Sequence, residues 1–450
     1  MDSLIASRRH FLAAAGFAGA AALAPTSFAQ AADDIPALAE QAFIWGLPLV
    51  LTGRYLDLSV KAGLGFNQFY ISPDLSTPAT RAAGPNIDTL YGFAWLDLAS
   101  GPQVVAVPDT QDRYYSVQFL DTYGDSFAYV GRRATGTKAG AYAITPPGWT
   151  GSLPAAVHEI KSPTVKVLAL LRTLVRGNAD LAAARAVHSA YTTGALSEWP
   201  NGRRAGIARG ESLNVFPALD LSGAGAGYFD ELGALVRQYP PLPEDAATFA
   251  RFAPLGIGDG KPRGAALTAA LAAAVPSGLA RIKADRATHA TVINGWRTNL
   301  SIVPFIRDPL ARAGNNLIGP GAHIAEEALY FGATQGPDGA PLNGAHRYRL
   351  RFAPGQTPPV DAFWSLILYD KNFFLFDNPA NRYAFNDRSE GLIRGADGSL
   401  EILIGADRPG GQVNWLPAPR DVFQLIVRFY QPQPSVLDKT YRLPAIEQVG

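Results

Sequence analysis

The chain of 450 residues contains no cysteine. Without thiols, disulfides, cysteine nucleophiles, iron–sulfur clusters and zinc sites with thiolate ligands are all excluded. A chain without thiols also suits an oxidising compartment, because it can neither form nor misform a disulfide there. The absence of cysteine therefore removes several chemistries and is compatible with export.

Charged residues are also few, at 17% of the chain against about 25% in an average protein. Lys plus Arg number 39 and Asp plus Glu number 38, and the basic residues form no run. A protein that binds the phosphate backbone of a nucleic acid needs a basic patch. We therefore expect no nucleic-acid partner.

The usual nucleotide-binding and hydrolase motifs are missing. The sequence has no G-x-S-x-G nucleophile elbow and no G-x-G-x-x-G opening a helix, and Gly260-Lys261 is followed by Pro262 instead of a P-loop serine or threonine. Dinucleotide and nucleotide cofactors are therefore not expected, and we predict no cofactor.

The histidines give no metal-binding pattern. His323, Glu326 and Glu327 have i, i+3 and i+4 spacing on a predicted helix, but a metal needs a further ligand and the other mature histidines are scattered. A surface helix with an i, i+4 pair explains this spacing. We predict no metal site.

The N-terminal residues 1–31 have the parts of a signal peptide: Arg8 and Arg9, the apolar run Ala13–Ala24, and Ala29-Gln30-Ala31 as a cleavage site. The paired arginines before Phe11 resemble a twin-arginine signal, although a Sec signal with two chance arginines is the alternative. We expect a periplasmic protein whose partners include the twin-arginine translocation machinery. No other apolar run approaches 18 residues, so we expect no membrane span in the mature chain.

Short runs of alternating polar and apolar residues, bounded by Gly, Pro and Asp, predict β-strands in two blocks. The predicted strands are Gln103–Val107, Tyr115–Phe119, Ser126–Val130 and Ala141–Thr145, and then Tyr348–Phe352, Phe363–Tyr369, Leu400–Ile404 and Val422–Phe429. The segment Tyr115–Phe119 reads as a half-buried strand, with Ser116 and Gln118 on the polar face.

Helical spacing predicts a helix near the N-terminus and several more between the two blocks. The predicted helices are Ile35–Leu51, Val165–Gly177 behind a Ser162 cap, Ala179–Thr193, Tyr228–Arg237, Pro243–Phe252, Ala265–Ala274 and Leu279–Ile293. The predicted fold class is α+β, mainly β: two antiparallel jelly-roll-like β-sandwich domains joined by a helical segment. The predicted boundaries are 32–160 for the first domain with its N-terminal helix, 161–335 for the helical linker, and 336–450 for the second domain.

The first candidate site lies in the turn-prone stretch from Asn86 to Tyr91. Asp88 is flanked by Asn86 and Thr89, which can hold a carboxylate by hydrogen bonds, and Arg113 and Asp121 could face it from neighbouring strands. The stretch could form an Asx turn that shapes a strand entry. Alternatively, Asp88 is an acid/base group, with Arg113 as its electrostatic partner and Tyr91 or Tyr114 as proton donor.

The second candidate site consists of aromatic and amide side chains near strand ends in the C-terminal block: Trp364, Tyr369, Asn414 and Trp415. Aromatic rings stack on sugar rings and other flat apolar faces, so these residues could form a binding platform. Packing in the hydrophobic core is the alternative for the tryptophans.

Several multi-residue motifs resemble a known pair of bacterial domains. Gly84 to Tyr91, Val107-Pro108-Asp109, Asp112 to Tyr115 and Asp121-Thr122-Tyr123 resemble the domain of unknown function numbered 1254. Phe363-Trp364-Ser365, Tyr369-Asp370, Asp397-Gly398-Ser399, Asn414 to Pro417 and Arg428-Phe429-Tyr430 resemble its usual companion, numbered 1214. The matches cover about residues 40 to 195 and 335 to 445. The resemblance implies two jelly-roll-like domains joined by helices and brings no established reaction.

Three hypotheses of function follow. The first is an exported protein that binds a small molecule or glycan in a cleft between two β domains. The second is a metal-independent hydrolase or lyase that uses Asp88, Arg113 and Tyr91. The third is a homo-oligomeric surface or structural assembly, which a sizing column would reveal.

The export signal gives the first prediction. Replacing both arginines, Arg8→Lys with Arg9→Lys, should leave the precursor in the cytoplasm because the twin-arginine machinery reads this pair. The measurement is the amount of protein in periplasmic and cytoplasmic fractions. A normal periplasmic yield from the double variant would show that another pathway exports the chain.

Overall fold

The computed structural model describes residues 34–81, 84–204, 206–207, 216–217, 219–319 and 321–449. The predicted signal peptide lies outside these residues. The described chain is a mixed α/β structure with four sheets and seven α-helices. The helices are α1 (Ile35–Lys61), α2 (Leu181–His188), α3 (Gly227–Gln238), α4 (Ala246–Ala250), α5 (Ala265–His289), α6 (Pro309–Ile318) and α7 (Pro434–Leu437).

The first half of the structure contains two sheets. The first large sheet has six strands in the order β11-β1-β2-β8-β4-β5, and the first small sheet has five in the order β10-β9-β3-β6-β7. Their strands are β1 (Tyr70–Ile71), β2 (Thr89–Asp97), β3 (Gln103–Val107), β4 (Tyr115–Leu120), β5 (Ser126–Gly131), β6 (Gly140–Thr145), β7 (Val157–Lys161), β8 (Lys166–Leu174), β9 (Thr192–Ala195), β10 (Arg203–Arg204) and β11 (Gly206–Ile207).

The second half also contains two sheets. The second large sheet has six strands in the order β12-β13-β14-β20-β16-β17, and the second small sheet has four in the order β19-β18-β15-β21. Their strands are β12 (Thr291–Ile293), β13 (Trp296–Thr298), β14 (Ala328–Ala333), β15 (Tyr348–Phe352), β16 (Val360–Asp370), β17 (Ala384–Asn386), β18 (Leu400–Gly405), β19 (Trp415–Pro417), β20 (Phe423–Pro432) and β21 (Ile446–Gln448).

The two sheets of each half pack face to face around a hydrophobic core. In the first half, Val105 of the small sheet packs in one cluster with Val117 and Leu171 of the large sheet. In the second half, Leu350 of the small sheet packs with Val427 of the large sheet. Both halves are therefore two-layered and β-rich, as predicted, whereas the jelly-roll topology stays a prediction.

The two halves share one strand order. Adding twelve to the strand numbers in the run β2-β8-β4-β5 gives β14-β20-β16-β17, and the same step turns β9-β3-β6-β7 into β21-β15-β18-β19. The pairs β6–β7 and β18–β19 are both parallel, although most other pairs are antiparallel. The second half therefore repeats the topology of the first.

The repeat extends to local sequence and hydrogen bonding at the end of two equivalent strands. Ser116 in β4 is followed five residues later by Asp121, and Ser365 in β16 is followed at the same distance by Asp370. The Oδ1 atom of Asp121 accepts two main-chain N–H groups, from the residues two and four positions on, and Oδ1 of Asp370 does the same. The same turn therefore closes both strands.

The long helices cover the outer face of the first large sheet. Helix α1 runs on to Lys61 with Pro48 in its interior, beyond the end predicted at Leu51. Helix α5 is continuous through Pro276, where two shorter helices were predicted. Apolar residues of α1, α3, α5 and α6 share one core cluster with Phe93 and Trp95 of β2.

Helices α1 and α5 are each long and apolar enough to cross a membrane, judged by length and composition alone. Most of α1 is buried in the core, as the central helix of a soluble protein also is. The expectation that no mature segment has such length and apolarity was therefore wrong. The absence of a membrane span stays a prediction.

Strand β8 is the main error of the sequence-based assignment. A helix was predicted from Val165 to Gly177, but the segment forms a strand between β2 and β4. Its side chains are buried on both faces of the sheet, so nearly every position is apolar. Such a continuous apolar run is compatible with a buried strand as well as with a helix. The predicted helix Ala179–Thr193 is shortened to α2, and its last residues enter β9.

The two large sheets face each other through a reciprocal pair of charged contacts. Asp88, just before β2, accepts hydrogen bonds from Arg388 at 2.8 Å and from Ser365 at 2.5 Å, both in the second half. Glu327, just before β14, accepts hydrogen bonds from Arg133 at 2.6 Å and from Tyr114 at 2.9 Å, both in the first half.

These contacts are equivalent in the repeat. The main-chain carbonyl of Asp88 accepts from the N–H of Val175 at 2.9 Å, and the carbonyl of Glu327 accepts from the N–H of Gln431 at 2.8 Å. Each residue thus joins its own strand to the neighbouring strand through its main-chain carbonyl and reaches across to the opposite half through its carboxylate. Such reciprocal contacts are typical of a two-fold arrangement, here between two halves of one chain.

The buried position of Asp88 gives the second prediction. The carboxylate is fully buried, whereas Arg388 keeps 15% of its side-chain surface exposed. Asp88→Asn should destabilise the protein by on the order of 3 kcal/mol, the lower end for breaking a buried pair because Asp387 also contacts Arg388. The measurement is the free energy of unfolding in urea.

Asp407→Asn is the matched control, because Asp407 forms an exposed ion pair with Arg420. It should change the free energy of unfolding by less than about 0.5 kcal/mol. Equal stability of both variants would contradict a structural role for Asp88 and restore the acid/base hypothesis for this carboxylate.

Candidate functional site

The interface between the two large sheets contains one equivalent row of side chains from each. In the first sheet Tyr91 of β2 pairs with Arg172 of β8, which pairs with Ser116 of β4. In the second sheet Tyr330 of β14 pairs with Arg428 of β20, which pairs with Ser365 of β16. The site is thus built from two Tyr-Arg-Ser rows.

Arg172 is buried and has only neutral hydrogen-bond partners. Its Nη1 donates to the Gln118 side-chain oxygen at 2.8 Å, and its Nη2 donates to the main-chain carbonyl of Gly321 at 2.8 Å. Its Nε has no hydrogen-bond partner among the described residues. The guanidinium carbon lies 5.3 Å from the centre of the Tyr91 ring.

Arg428 is held in an equivalent way from the other half. Its Nη1 donates to the Tyr369 hydroxyl at 2.6 Å, and its Nη2 donates to the main-chain carbonyl of Gly84 at 2.9 Å. Gly84 and Gly321 both have positive φ, and a Cβ at either would overlap a neighbouring side chain. Both carbonyls therefore depend on glycine to reach their arginine.

Neither arginine forms an ion pair with a carboxylate among the described residues. Arg172 is 5% exposed and Arg428 is 4% exposed, so water solvates little of either charge. This contrasts with Arg388 and Arg133, which meet Asp88 and Glu327. The interface thus holds two compensated arginines and two buried cations that lack a counter-charge within the described chain.

Both of these cations act on Tyr91. Burial alone would raise the pKa of its phenol, but the positive charges of Arg172 and Arg428, together with the Asn86 amide, outweigh burial and hold the pKa below its usual value. Burial raises the pKa of Tyr330, so the two equivalent tyrosines differ in ease of ionisation. Tyr91 is the phenol in this site that can give up a proton most easily.

The two rows border a large cavity between the halves and the helical layer. Its volume is about 1420 Å³, above the range of about 300–1000 Å³ for small-molecule pockets. Tyr91, Arg172, Tyr330 and Arg428 all line it. Both arginines and both tyrosines therefore belong to the wall of one cavity.

Asp121 lines the same cavity beyond the end of β4. Burial, with the nearby charge of Asp125, raises the pKa of Asp121 to about 8. Its Oδ2 atom has no hydrogen-bond partner among the described residues. Arg312 compensates Asp125 at 3.5 Å and Asp245 at 2.7 Å.

Four residues of the sequence-predicted set line the cavity, and a fifth supports it. The lining residues are Asn86, Thr89, Tyr91 and Asp121. Asn86 donates a hydrogen bond to the Tyr430 hydroxyl at 2.7 Å and contacts the Tyr91 hydroxyl at 3.4 Å. Tyr369 does not line the cavity but holds Arg428. The functional roles of these residues stay predictions.

The expected partnership of Asp88 with Arg113 is corrected by the structure. Arg113 forms an ion pair with Asp180 and donates to the carbonyl of Leu174, while Asp88 pairs with Arg388. Asp88 is not among the residues that line the cavity. Its position favours the structural interpretation, and the arginines beside Tyr91 are Arg172 and Arg428.

The remaining predicted residues pack elsewhere. Tyr114 is buried against Phe363 at the interface, and Trp364 is buried in the core of the second half. Asn414 bonds the main-chain N–H and carbonyl of Ile393, in the segment between β17 and β18, and Trp415 donates to a main-chain carbonyl at 2.9 Å. None of the four lines the cavity, so they do not form the expected platform there.

His323 and Glu327 do not share a helix. The segment forms turns before β14, with His323 fully buried against Tyr129 and Tyr430 and with Glu327 bound to Arg133. Burial and the charges of Arg172 and Arg133 hold the pKa of His323 well below its usual value. Within the described residues, no cluster of three or more His, Asp or Glu side chains could hold a metal.

Arg172 was missed because it belongs to none of the quoted motifs, and Arg428 was named only within the motif Arg428-Phe429-Tyr430, to which no role was assigned. Each stands in an otherwise apolar stretch: Arg172 follows Val167–Leu171, and Arg428 follows Leu425–Val427. A single charge in a buried strand is costly unless it is paired or functional. That signal, read twice in one chain, could have identified both residues.

Comparison with known proteins agrees with this division into halves. Residues 66–194 match the family described as "Protein of unknown function (DUF1254)", and residues 327–434 match "Protein of unknown function (DUF1214)". No curated protein matches the chain.

Two solved structures are similar. The VPA0106 protein from Vibrio parahaemolyticus has a TM-score of 0.69 and 22% identity, over 92% of this chain and 100% of its own, which shows a shared fold. An uncharacterised protein from Burkholderia cenocepacia has a TM-score of 0.44 and 15% identity, over 90% of this chain and 87% of its own. The two family matches in tandem show that the chain belongs to the proteins in which a DUF1254 domain is followed by a DUF1214 domain.

Proposed function

We propose that the protein binds an anionic small molecule in the cleft between its two halves, with the anionic group held by Arg172 and Arg428. The observation that carries this proposal is the pair of buried guanidinium groups that border the cavity without a carboxylate partner among the described residues. The proposal narrows the expectation of a small-molecule or glycan ligand to an anionic one.

The physical argument rests on the cost of an uncompensated buried charge. A charge removed from water costs several kcal/mol unless it is paired and hydrogen-bonded. Amide, phenol and carbonyl partners satisfy part of each guanidinium but neutralise none of its charge. An anion between the two groups would accept charge-assisted hydrogen bonds from both. A neutral glycan would leave both charges uncompensated.

Two further arginines line the cavity, but their surroundings differ. Arg297 is exposed, and Arg286 is half-buried beside Asp285, which also lines the cavity. Each donates a hydrogen bond to a main-chain carbonyl at 2.8 Å. Because water and a neighbouring carboxylate can compensate them, the electrostatic argument applies to Arg172 and Arg428.

The third prediction tests anion binding with acetate, phosphate and sulfate as probes. At least one probe should bind wild-type protein, and Arg172→Gln or Arg428→Gln should weaken that binding by about 10- to 100-fold, the value of a lost charge-assisted hydrogen bond. The measurement is isothermal titration calorimetry at constant ionic strength with chloride as the background anion.

Arg420→Gln is the matched control, because Arg420 is exposed on the second half and paired with Asp407. It should bind the probes as wild type does. Thermal melts of all variants without added anion identify any that fail to fold. The proposal fails if no probe binds wild type, or if folded Arg172→Gln and Arg428→Gln variants both bind with wild-type affinity.

A second candidate function is an enzyme that uses Tyr91 as its acid/base group. The observation that favours it is the position of this phenol at the cavity wall, with Arg172 at 5.3 Å from its ring and with the charges of Arg172 and Arg428 holding its pKa below the usual value. General acid/base groups in enzymes have pKa values shifted toward the working pH in this way. Arg172 and Arg428 would then take the electrostatic role predicted for Arg113.

The fourth prediction tests the ionisation of Tyr91 and needs no substrate. The ultraviolet difference spectrum of wild type minus Tyr91→Phe should show one phenol that ionises below pH 10, because both arginines favour the phenolate. In the Arg172→Gln background this ionisation should move to higher pH. The same subtraction with Tyr330→Phe serves as the matched control and should show a phenol that ionises above pH 10. Ionisation of Tyr91 at or above its usual pH would exclude it as the acid/base group.

A further inference from the structure

The two rows are equivalent at the arginines but differ at the next positions along each sheet. On the first large sheet, the pair beside Tyr91 and Arg172 is Phe93 with Leu170. On the second large sheet, the equivalent pair beside Tyr330 and Arg428 is Gly332 with Ile426. The two sheets are therefore alike at the tyrosine–arginine pairs and differ at the next pair of side chains along the strands.

The difference grows one step further along the strands. On the first sheet the following pair is Trp95 with Leu168, so the apolar surface continues. On the second sheet the equivalent positions are Thr334 and Gln424, which are polar. Trp95, Leu168 and Thr334 all line the cavity, so this contrast lies on its wall.

Two aromatic side chains, Phe216 and Tyr55, pack over the apolar surface of the first large sheet. Phe216 contacts Phe93 edge to face, with ring centres 5.1 Å apart, and packs in a tilted arrangement against Tyr55 of α1, with ring centres 5.4 Å apart. The indole N–H of Trp95 is occupied by the Ser59 hydroxyl at 2.9 Å, so the ring presents only apolar atoms. Phe93, Trp95, Leu168 and Leu170, each less than 10% exposed, therefore form an apolar stretch of the cavity wall that begins beside Arg172 and is called the channel below.

We propose that the ligand is an amphipathic carboxylic acid, with its carboxylate between Arg172 and Arg428 and its apolar body along the channel formed by Phe93, Leu170, Trp95 and Leu168. The inference rests on the proposed function, because it takes the anion site as the point where the ligand is anchored. The inference adds that the rest of the ligand is apolar, and that this apolar part extends from the arginines along the first large sheet.

The dimensions of the channel set the length of the body. Arg172 and Leu168 are four residues apart on β8, which corresponds to roughly 13 Å at about 3.3 Å per residue. At roughly 1.25 Å per carbon–carbon bond in an extended chain, this length fits an acyl chain of about ten carbon atoms. An aromatic acid of similar length also fits the aromatic walls.

The test is a titration of the full chain with straight-chain carboxylates from acetate to dodecanoate, at fixed pH and ionic strength. Each buried methylene stabilises binding by about 0.8 kcal/mol, so affinity should rise roughly tenfold for every two carbons. The rise should stop near ten carbons, where an extended chain that starts at Arg172 has passed Leu168. All measurements stay below the micelle concentration of each acid.

Leu170→Gln and Ile426→Gln are a matched pair, because the two positions are equivalent in the repeat and both line the cavity. Leu170→Gln should bind decanoate at least tenfold more weakly than wild type while its acetate affinity changes little. Ile426→Gln should keep the dependence on chain length. The opposite result for the pair would place the body on the second sheet and overturn the inference.

The wild-type series decides the matter even if a variant fails to fold. Equal affinity for acetate and decanoate would overturn the amphipathic ligand and leave the anion site in place. Failure of every carboxylate and of the inorganic anions to bind would overturn the proposed function itself. If long-chain acids still bind the Arg172→Gln and Arg428→Gln variants, the cavity binds them through apolar contacts alone and the arginines do not hold the carboxylate. That result also contradicts the inference.

Discussion

The docking of two polar sheet faces onto each other is the constraint on which the rest of the structure depends. Each large sheet hides its apolar face against a small sheet and presents Tyr, Arg and Ser to the opposite half. The buried carboxylates of Asp88 and Glu327 need a compensating charge. Arg388 and Arg133, which keep 15% and 29% of their side-chain surface exposed, supply it from the opposite halves. Arg172 and Arg428 have no such carboxylate among the described residues, and this uncompensated charge distinguishes the candidate site.

Strands were predicted correctly where turn residues bound an alternating polar and apolar pattern. The structure confirms Tyr115–Phe119 and Tyr348–Phe352 within one residue. The surroundings of β4 were not predictable in this way. Its polar face was taken as solvent-exposed, yet Ser116 and Gln118 are fully buried because the opposite half covers them. Alternation shows that a strand has a polar face and does not show what covers that face. For β8, buried on both faces, periodicity carries no signal that separates strand from helix.

The candidate site was predictable in its local part and not in its long-range part. The stretch from Asn86 to Tyr91 stands out through turn residues and aromatics, and three of its side chains reach the cavity. The partners of that stretch come from strands far along the chain, and adjacency in a sheet follows from topology rather than sequence distance. Asp88 was therefore given Arg113, which is near in sequence, instead of Arg388, which is 300 positions away.

The repeat explains why the charged side chains of the cavity are equivalent in the two halves while the neighbouring apolar side chains differ. A site built from two equivalent rows places two like cations on the wall of one cavity, and the proposal assigns them a compact anion that accepts hydrogen bonds from both. Two equivalent rows give no preferred direction to the rest of a ligand that carries the anionic group. Direction has to come from positions where the halves differ, and the first difference beyond the arginines is Phe93 and Leu170 against Gly332 and Ile426. The first half therefore adds apolar side chains to the cavity wall where the second half has a glycine, and a ligand bound as proposed would take its orientation from this divergence between two copies of one strand arrangement.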